Sequence, residues 1–192
     1  MRLASERPQR EGSALDIRLS TPQRQHVVQI AYHVADLDAA VARWHRMLGV
    51  GPFLVRRHIA LQTVLYRGQP GTLDISAAHV QSGDLQIELV QQHGDATSTF
   101  RDMFAAGEEG LHHIALFPHD YDALVMHYAA LGCAPTTELV TAEQRGATYV
   151  DARALTGHMI EIYRVNASLF ALYQAVADAA RDWDGRALTF EL

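Results

Sequence analysis

At 192 residues, 48% of them hydrophobic and 20% charged, the chain has the make-up of a soluble globular protein long enough to bury one sizeable core. A formal charge of −6 argues against nonspecific binding to nucleic acid or to an anionic membrane, which wants a basic face, and no apolar run reaches the roughly 18 residues that span a bilayer. Cys133 is the single cysteine and all 16 basic residues are arginine, which rules out an intrachain disulfide, a cysteine-based zinc cluster, Schiff-base catalysis and a Walker-type lysine.

In chain order, residues 1–25 are polar and without periodicity, a flexible N-terminal arm. They contain no apolar signal core, so a cytoplasmic location is expected. Val27 to His33 reads as a strand. Asp36 caps a helix whose apolar positions, Leu37, Val41, Trp44 and Leu48, recur every three or four residues; Gly49 and Gly51-Pro52 end it. Phe53 to Tyr66 and Leu73 to Val80 read as strand-forming stretches between turn signals at Arg67–Gly71 and Gln81–Asp84, and Leu85 to Gln91 closes the first unit. Residues 93–110 connect, with a short helix predicted over Ser98–Ala106 that stops at Gly107. The order then repeats: a strand from His113 to Phe117, a helix capped by Asp120 that runs to about Leu131 and ends at Gly132, and strands near 136–141, 146–152 and 157–164. Residues 167–182 form an added helix with Leu169, Leu172, Ala175 and Val176 on one face. The tail from Trp183-Asp-Gly185 carries no assignment.

The chain contains a weak copy of itself. Gln29-Ile-Ala-Tyr-His-Val-Ala-Asp36-Leu-Asp38-Ala39 and His113-Ile-Ala-Leu-Phe-Pro-His-Asp120-Tyr-Asp122-Ala123 align at an offset of 84. Each copy closes on an apolar strand carrying one carboxylate, Ile87-Glu88-Leu89-Val90 and Ile160-Glu161-Ile162-Tyr163. The fold class expected is α+β: two tandem βαβββ modules, 26–93 and 110–165, forming one cleft between curved mixed sheets, followed by a C-terminal helix and tail over 166–192. Residues 26–165 make one domain, because either four-stranded unit alone would expose an apolar sheet face.

Equivalent strand positions converge on one cleft, which nominates Gln29, Glu88, His113 and Glu161 as metal ligands. A glutamate flanked by aliphatics on a strand is ordinarily the solvent-facing half of the alternation. Two glutamates at equivalent places in two repeats, each repeat opening on a metal-competent residue, argue for the cleft. Alternation sends the rings of His112 and His113 to opposite faces; the repeat selects His113 and leaves His112 to the core or to the layer behind the site. Tyr32, His33, His58, His79, His93 and His158 are candidate wall residues. One imidazole, two carboxylates and one amide oxygen suit a divalent ion (Ni, Co, Zn, Mn or Mg) in an open octahedral site with about two waters. A closed structural zinc site would use cysteine and histidine, and the nonhaem-iron triad needs a second histidine.

These stretches, with Gly110-Leu-His-His113-Ile-Ala and Gly157-His-Met-Ile-Glu161-Ile-Tyr, span residues 26–165 and resemble the vicinal oxygen chelate superfamily, which includes glyoxalase I, methylmalonyl-CoA epimerase, extradiol dioxygenases and bleomycin-resistance proteins. The Gly-Leu-His-His-Ile-Ala phrase looks most like the epimerases; the set Gln, Glu, His, Glu is similar to glyoxalase I of the zinc-using type. The resemblance implies one divalent ion acting as a Lewis acid and a glutamate that removes and returns a proton next to a carbonyl, Glu161 first and Glu88 second. It implies an isomerase or epimerase of a small carbonyl substrate, an acyl-CoA thioester in the first place. The alternatives are a glyoxalase-I-like lactoylglutathione lyase, a metal-free binding or resistance protein and, least favoured, a dioxygenase. It also implies a homodimer. Arg56, Arg57, Arg145 and Arg164 are candidates for an anionic substrate tail.

Overall fold

Two aspartates start the two modules in the same way. Asp36 and Asp120 both sit in extended backbone and accept a hydrogen bond from the amide three residues on, Ala39 N and Ala123 N, at 2.9 Å each. Each thus satisfies an amide that the first turn leaves open, worth about 1 kcal/mol. The structure, a computed structural model, describes residues 25–192; the expected flexible arm, apart from Gln25, lies outside them.

The first module runs β1 (Val27–His33), α1 (Leu37–Leu48), β2 (Phe53–Arg56), β3 (Leu61–Tyr66), β4 (Gln69–Pro70), β5 (Asp74–Ser82) and β6 (Leu85–His93). The second runs β7 (Gly110–Leu116), α2 (Tyr121–Ala130), β8 (Pro135–Thr141), β9 (Gly146–Val150), a single turn α3 (Arg153–Thr156) and β10 (Met159–Arg164); α4 (Ala167–Arg181) and β11 (Thr189–Glu191) follow. The strand order is β11-β2-β5-β6-β1-β7-β10-β9-β8-β3-β4. In each half the last strand lies parallel to the first, with Ala31 opposite Glu88 and Ala115 opposite Glu161. Ala31 and Ala115 are related by the offset of 84, so the repeat read in the sequence is a repeat in the sheet. β1 and β7 pair antiparallel and join the halves at the centre. This is the expected α+β fold.

α1 covers one outer face, with Leu37 and Val41 against Ala78, Val80, Ile87 and Leu89. α2 covers the other, with Leu124 against Leu116, Ile160 and Ile162. The inner faces meet around Ile75, Val90, Phe100, Leu139, Tyr149 and Leu169. α4 buries Leu169, Leu172 and Val176 against its own chain, with Leu54 among the partners, whereas Ala175 is exposed. No helix among the described residues is long and apolar enough to cross a membrane.

Three local expectations change. The stretch Phe53–Tyr66 splits at a bend where His58 has φ 45°. β2 stays beside β5 of its own module, while β3 crosses to pair antiparallel with β8 of the other, so the modules interlock as well as abut. The short helix expected over Ser98–Ala106 is a series of turns. Ser98 Oγ accepts from Phe100 N and Arg101 N at 3.1 and 3.2 Å, and the fully buried Phe100 ring stacks on His112 at 4.3 Å; burial of that ring sets the local path. The unassigned tail adds β11 parallel to β2, and Trp183 Nε1 donates to Ala187 O at 2.8 Å. A Cβ on Gly51 would come within 2.6 Å of the Trp183 ring. Gly51→Ala is therefore expected to destabilise by about 1–3 kcal/mol, as overpacking does, and by much less in a Trp183→Leu background. Urea denaturation of the four proteins checks this; equal costs in both backgrounds would refute the contact.

Candidate metal centre

Strand alternation places the site. On β6, Ile87 and Leu89 pack under α1, so Glu88 points inward; on β10, Ile160 and Ile162 pack under α2, so Glu161 points inward. Because the sheet curls, the inner face is not solvated: Glu88 is 8% exposed, Glu161 3% and His113 0%. His113 Nε2 lies 3.1 Å from Glu161 Oε2 and 3.5 Å from Glu88 Oε2, and one ligand atom of each residue falls within 4.8 Å of the others.

These residues fit a metal ion. His113 Nε2 and Glu161 Oε2 are buried and lack hydrogen-bond alignment despite their proximity. Nitrogen and oxygen ligands about 2.1 Å from one ion stand roughly 3.0–3.5 Å apart, the separation seen here. Without an ion, burial opposes charge on His113, but the nearby carboxylates of Glu161 and Glu88 outweigh it and raise the imidazole to about pKa 9. Burial also works against ionisation of Glu88, yet the adjacent His113, with Arg56 beyond it, prevails and lowers it.

Gln29, on β1 two residues before Ala31, is fully buried. Its Nε2 donates to Gln86 Oε1 at 2.7 Å, and its Oε1 accepts from Tyr163 OH at 3.2 Å. The tight cluster is thus Glu88, His113 and Glu161, while the amide of Gln29, the fourth expected ligand, is engaged by Gln86 and Tyr163.

The expectation that His112 and His113 face apart does not hold. Ala31 opposes His113 while Tyr32 opposes Leu111, which leaves His112 as the extra residue of a β-bulge, and a bulge suspends the alternation. The two rings meet edge to face, with their Nδ1 atoms 2.8 Å apart. His112 Nε2–H donates to Thr99 O at 3.1 Å. Burial, and then the charge of His113, hold His112 well below the usual imidazole range. Being neutral, it accepts at Nδ1 from His113 Nδ1–H, which leaves His113 Nε2 facing the carboxylates.

A cavity opens above the cluster, with Glu88, Glu161 and His79 in its lining and Ile59, Leu61, Ile75, Leu139 and Leu172 among its walls. His79, opposite Glu88 on β5, is 4% exposed; its Nδ1 is 3.8 Å from Glu88 Oε1 and neither ring nitrogen is hydrogen-bonded. Burial lowers its pKa, overcoming the pull of Glu88. Of the other wall candidates, Tyr32 packs on Trp44, His33 Nδ1 donates to Glu108 O at 2.9 Å and His158 Nδ1 donates to its neighbour Met159 O at 2.7 Å. The signal for His79 was available: it shares the inward parity of β5 with Ile75 and Ala77. Two of the four candidate arginines line the cavity, Arg56 and Arg145, both facing Glu143, at 2.8 and 3.9 Å. Arg57 pairs with Asp38 and Glu191, and Arg164 lies over the Tyr121 ring.

A solved structure shares the fold. A hypothetical protein from Bacillus halodurans C-125 superposes with a TM-score of 0.53 at 15% identity, over 75% of this chain and 96% of that one. Methylmalonyl-CoA epimerase from Mycobacterium tuberculosis gives 0.49 at 19% identity, over 76% and 91%. No curated protein matches the chain in sequence. The family model for the Glyoxalase/Bleomycin resistance protein/Dioxygenase superfamily matches residues 28–150, more than half of the chain, and with the interlocked βαβββ repeat it shows that the chain belongs to this superfamily.

Proposed function

We propose that the cleft catalyses proton removal and return at a carbon next to a carbonyl, as a metal-dependent isomerase or epimerase of a small acyl thioester. The observation that carries this reading is the pair His113 Nε2 and Glu161 Oε2, buried, 3.1 Å apart and unsatisfied, at the base of a mostly apolar cavity. Glu88, His113 and Glu161 would hold the ion, with Gln29 Oε1 as the fourth ligand. When bound, a divalent ion supplies Lewis acidity toward a carbonyl oxygen. Glu161 is the first choice of base, because its Oε2 has no donor occupying it; Glu88 is the second. Ile59, Leu61, Ile75 and Leu139 keep water from the reacting carbon. Arg56 and Arg145 offer donors to an anionic part of the substrate in exchange for Glu143. The set Gln29, Glu88, His113 and Glu161 also suits a glyoxalase-I-like lyase, which moves a proton in the same way and differs in substrate.

The test is metal content of protein purified without chelator or nickel resin, together with α-proton exchange of acyl-CoA thioesters in heavy water. Near-stoichiometric metal that is lost in His113→Ala is expected, and Glu161→Gln is expected to slow exchange by about 10²–10⁴-fold, as loss of a general base does. A protein that neither holds nor takes up metal would overturn the reading in favour of a metal-free binding protein. Metal retained without exchange of thioesters, but with turnover of a glutathione hemithioacetal, would move it to the lyase.

A further inference from the structure

A second cluster of ligand-competent side chains lies on the opposite face of the same two strands. Glu88 and His79 point into the cleft; Asp74 and His93, each five residues away along its strand, point outward and are cross-strand partners. The bend after β2 carries His58 over them. Its φ of 45° is a left-handed backbone that a histidine seldom adopts and that persists where surrounding contacts over-determine it. Those contacts are specific. The His58 amide donates to Ser76 Oγ at 3.0 Å, His58 Nδ1 lies 2.9 and 3.0 Å from the two oxygens of Asp74, and the His58 ring stacks on His93 at 4.4 Å. Ser76 Oγ also lies 2.8 Å from His93 Nε2. When Ser76 accepts from both the His58 amide and His93 Nε2–H, the Nδ1 lone pair of His93 is free. It meets an ion held by His58 and Asp74 when the two rings tilt out of their stack, since an ion binds in the plane of each ring.

We infer that His58, Asp74 and His93 form a second divalent-metal site, distinct from the cleft. One ligand atom of each lies within 4.8 Å of the others. The 2.9 Å between His58 Nδ1 and Asp74 Oδ1 is the spacing of two adjacent ligands about 2.1 Å from one ion, so an ion can take the place of the proton between them. Two imidazoles and a carboxylate select a borderline divalent ion such as Zn(II), Ni(II) or Co(II) over Mg(II). The cleft, with one imidazole and two carboxylates, is the harder site of the two.

The place of this site gives it a role. The bend that it holds is the crossover from β2 of one module to β3, which pairs with β8 of the other. Ile59, next to His58, donates its amide to Ile75 O at 2.8 Å and lines the cavity, as does Leu61. An ion on His58, Asp74 and His93 therefore clasps the crossover to β5 and β6 from outside and fixes the wall of the cleft from behind.

Zn(II) titration of metal-stripped protein at pH 7.5, read by calorimetry and by metal content after gel filtration, tests this. Two ions per chain are expected in the wild type. One is expected in His58→Asn/His93→Asn and one in His113→Ala, with none when all three changes are combined. In the His113→Ala background, Zn(II) is expected to raise the thermal midpoint and Asp74→Asn to abolish that rise. A His113→Ala protein that folds by circular dichroism and binds no Zn(II) would overturn the second site and leave the cleft reading standing. Should His113→Ala not fold, Glu161→Ala replaces it under the same criterion. A single ion lost in His58→Asn/His93→Asn but kept in His113→Ala would sustain the outer site and sink the cleft reading instead. Two ions retained in both His58→Asn/His93→Asn and Asp74→Asn would also overturn the proposal.

Discussion

Metal-stripped protein is expected to bind a divalent ion in the cleft about ten times more tightly for each unit of pH, from neutrality to about pH 9, and no more tightly beyond it. The ion and a proton compete for His113 Nε2. Burial disfavours the proton, but Glu161 and Glu88 together outweigh burial and hold it to a pKa of about 9. Below that value binding releases one proton, so the apparent constant climbs with unit slope in pH; above it no proton remains to be displaced. The measurement is competition against a chromogenic chelator between pH 6 and 10 in the His58→Asn/His93→Asn background, where the outer site is disabled. A plateau near pH 6.5, the ordinary imidazole value, would mean that the carboxylates do not hold His113 charged. The same shift acts on the fold. A histidine whose pKa is raised on folding contributes stability that is complete below the unfolded value of 6.5 and is lost as pH climbs through the folded value. The metal-free protein is therefore expected to lose on the order of 3 kcal/mol between about pH 6.5 and 9, as urea midpoints at the two values would record.

The architecture was legible because it is written twice. Asp36 and Asp120 cap their helices through the same bond, and the offset that aligns them also carries the pair Ala31–Glu88 onto Ala115–Glu161 in the sheet. Convergence of Glu88, His113 and Glu161 followed from that symmetry alone. What stayed hidden depends on partners distant in sequence. The β-bulge at His112 is created by the register of β1 against β7, and strand alternation read along one strand contains no trace of it. β3 leaves its own module for β8, a choice that its own residues do not encode. His79 looked like one histidine among several because its burial comes from the second module curling over it. Trp183 looked unassignable because its counterpart is the missing side chain of Gly51.

Replacing His112 with phenylalanine is expected to weaken metal binding by about 10–100-fold although His112 is not itself a ligand. The chain of bonds from Thr99 O through His112 to His113 Nδ1 settles which nitrogen of His113 faces the carboxylates. Phenylalanine keeps the ring volume and the stacking on Phe100, at 4.3 Å, but removes the acceptor. His113 is then free to turn or, once neutral, to keep its remaining proton on Nε2, the atom an ion needs. The substitution also leaves Thr99 O and His113 Nδ1–H buried without partners, at about 1–3 kcal/mol each, so a lower midpoint in urea is expected as well. Phe100→Leu separates the two effects, since it opens a cavity against the same ring and leaves the hydrogen bonds in place. If loosening of the core were the cause, Phe100→Leu would lose affinity in proportion to its lost stability. If the bond is the cause, Phe100→Leu keeps wild-type affinity while His112→Phe does not, and above pH 9, where His113 is neutral, its ¹⁵N shifts report a changed tautomer only in the latter. Equal affinity in His112→Phe and wild type would show that Glu88 and Glu161 alone orient His113, and that the bulge serves only packing.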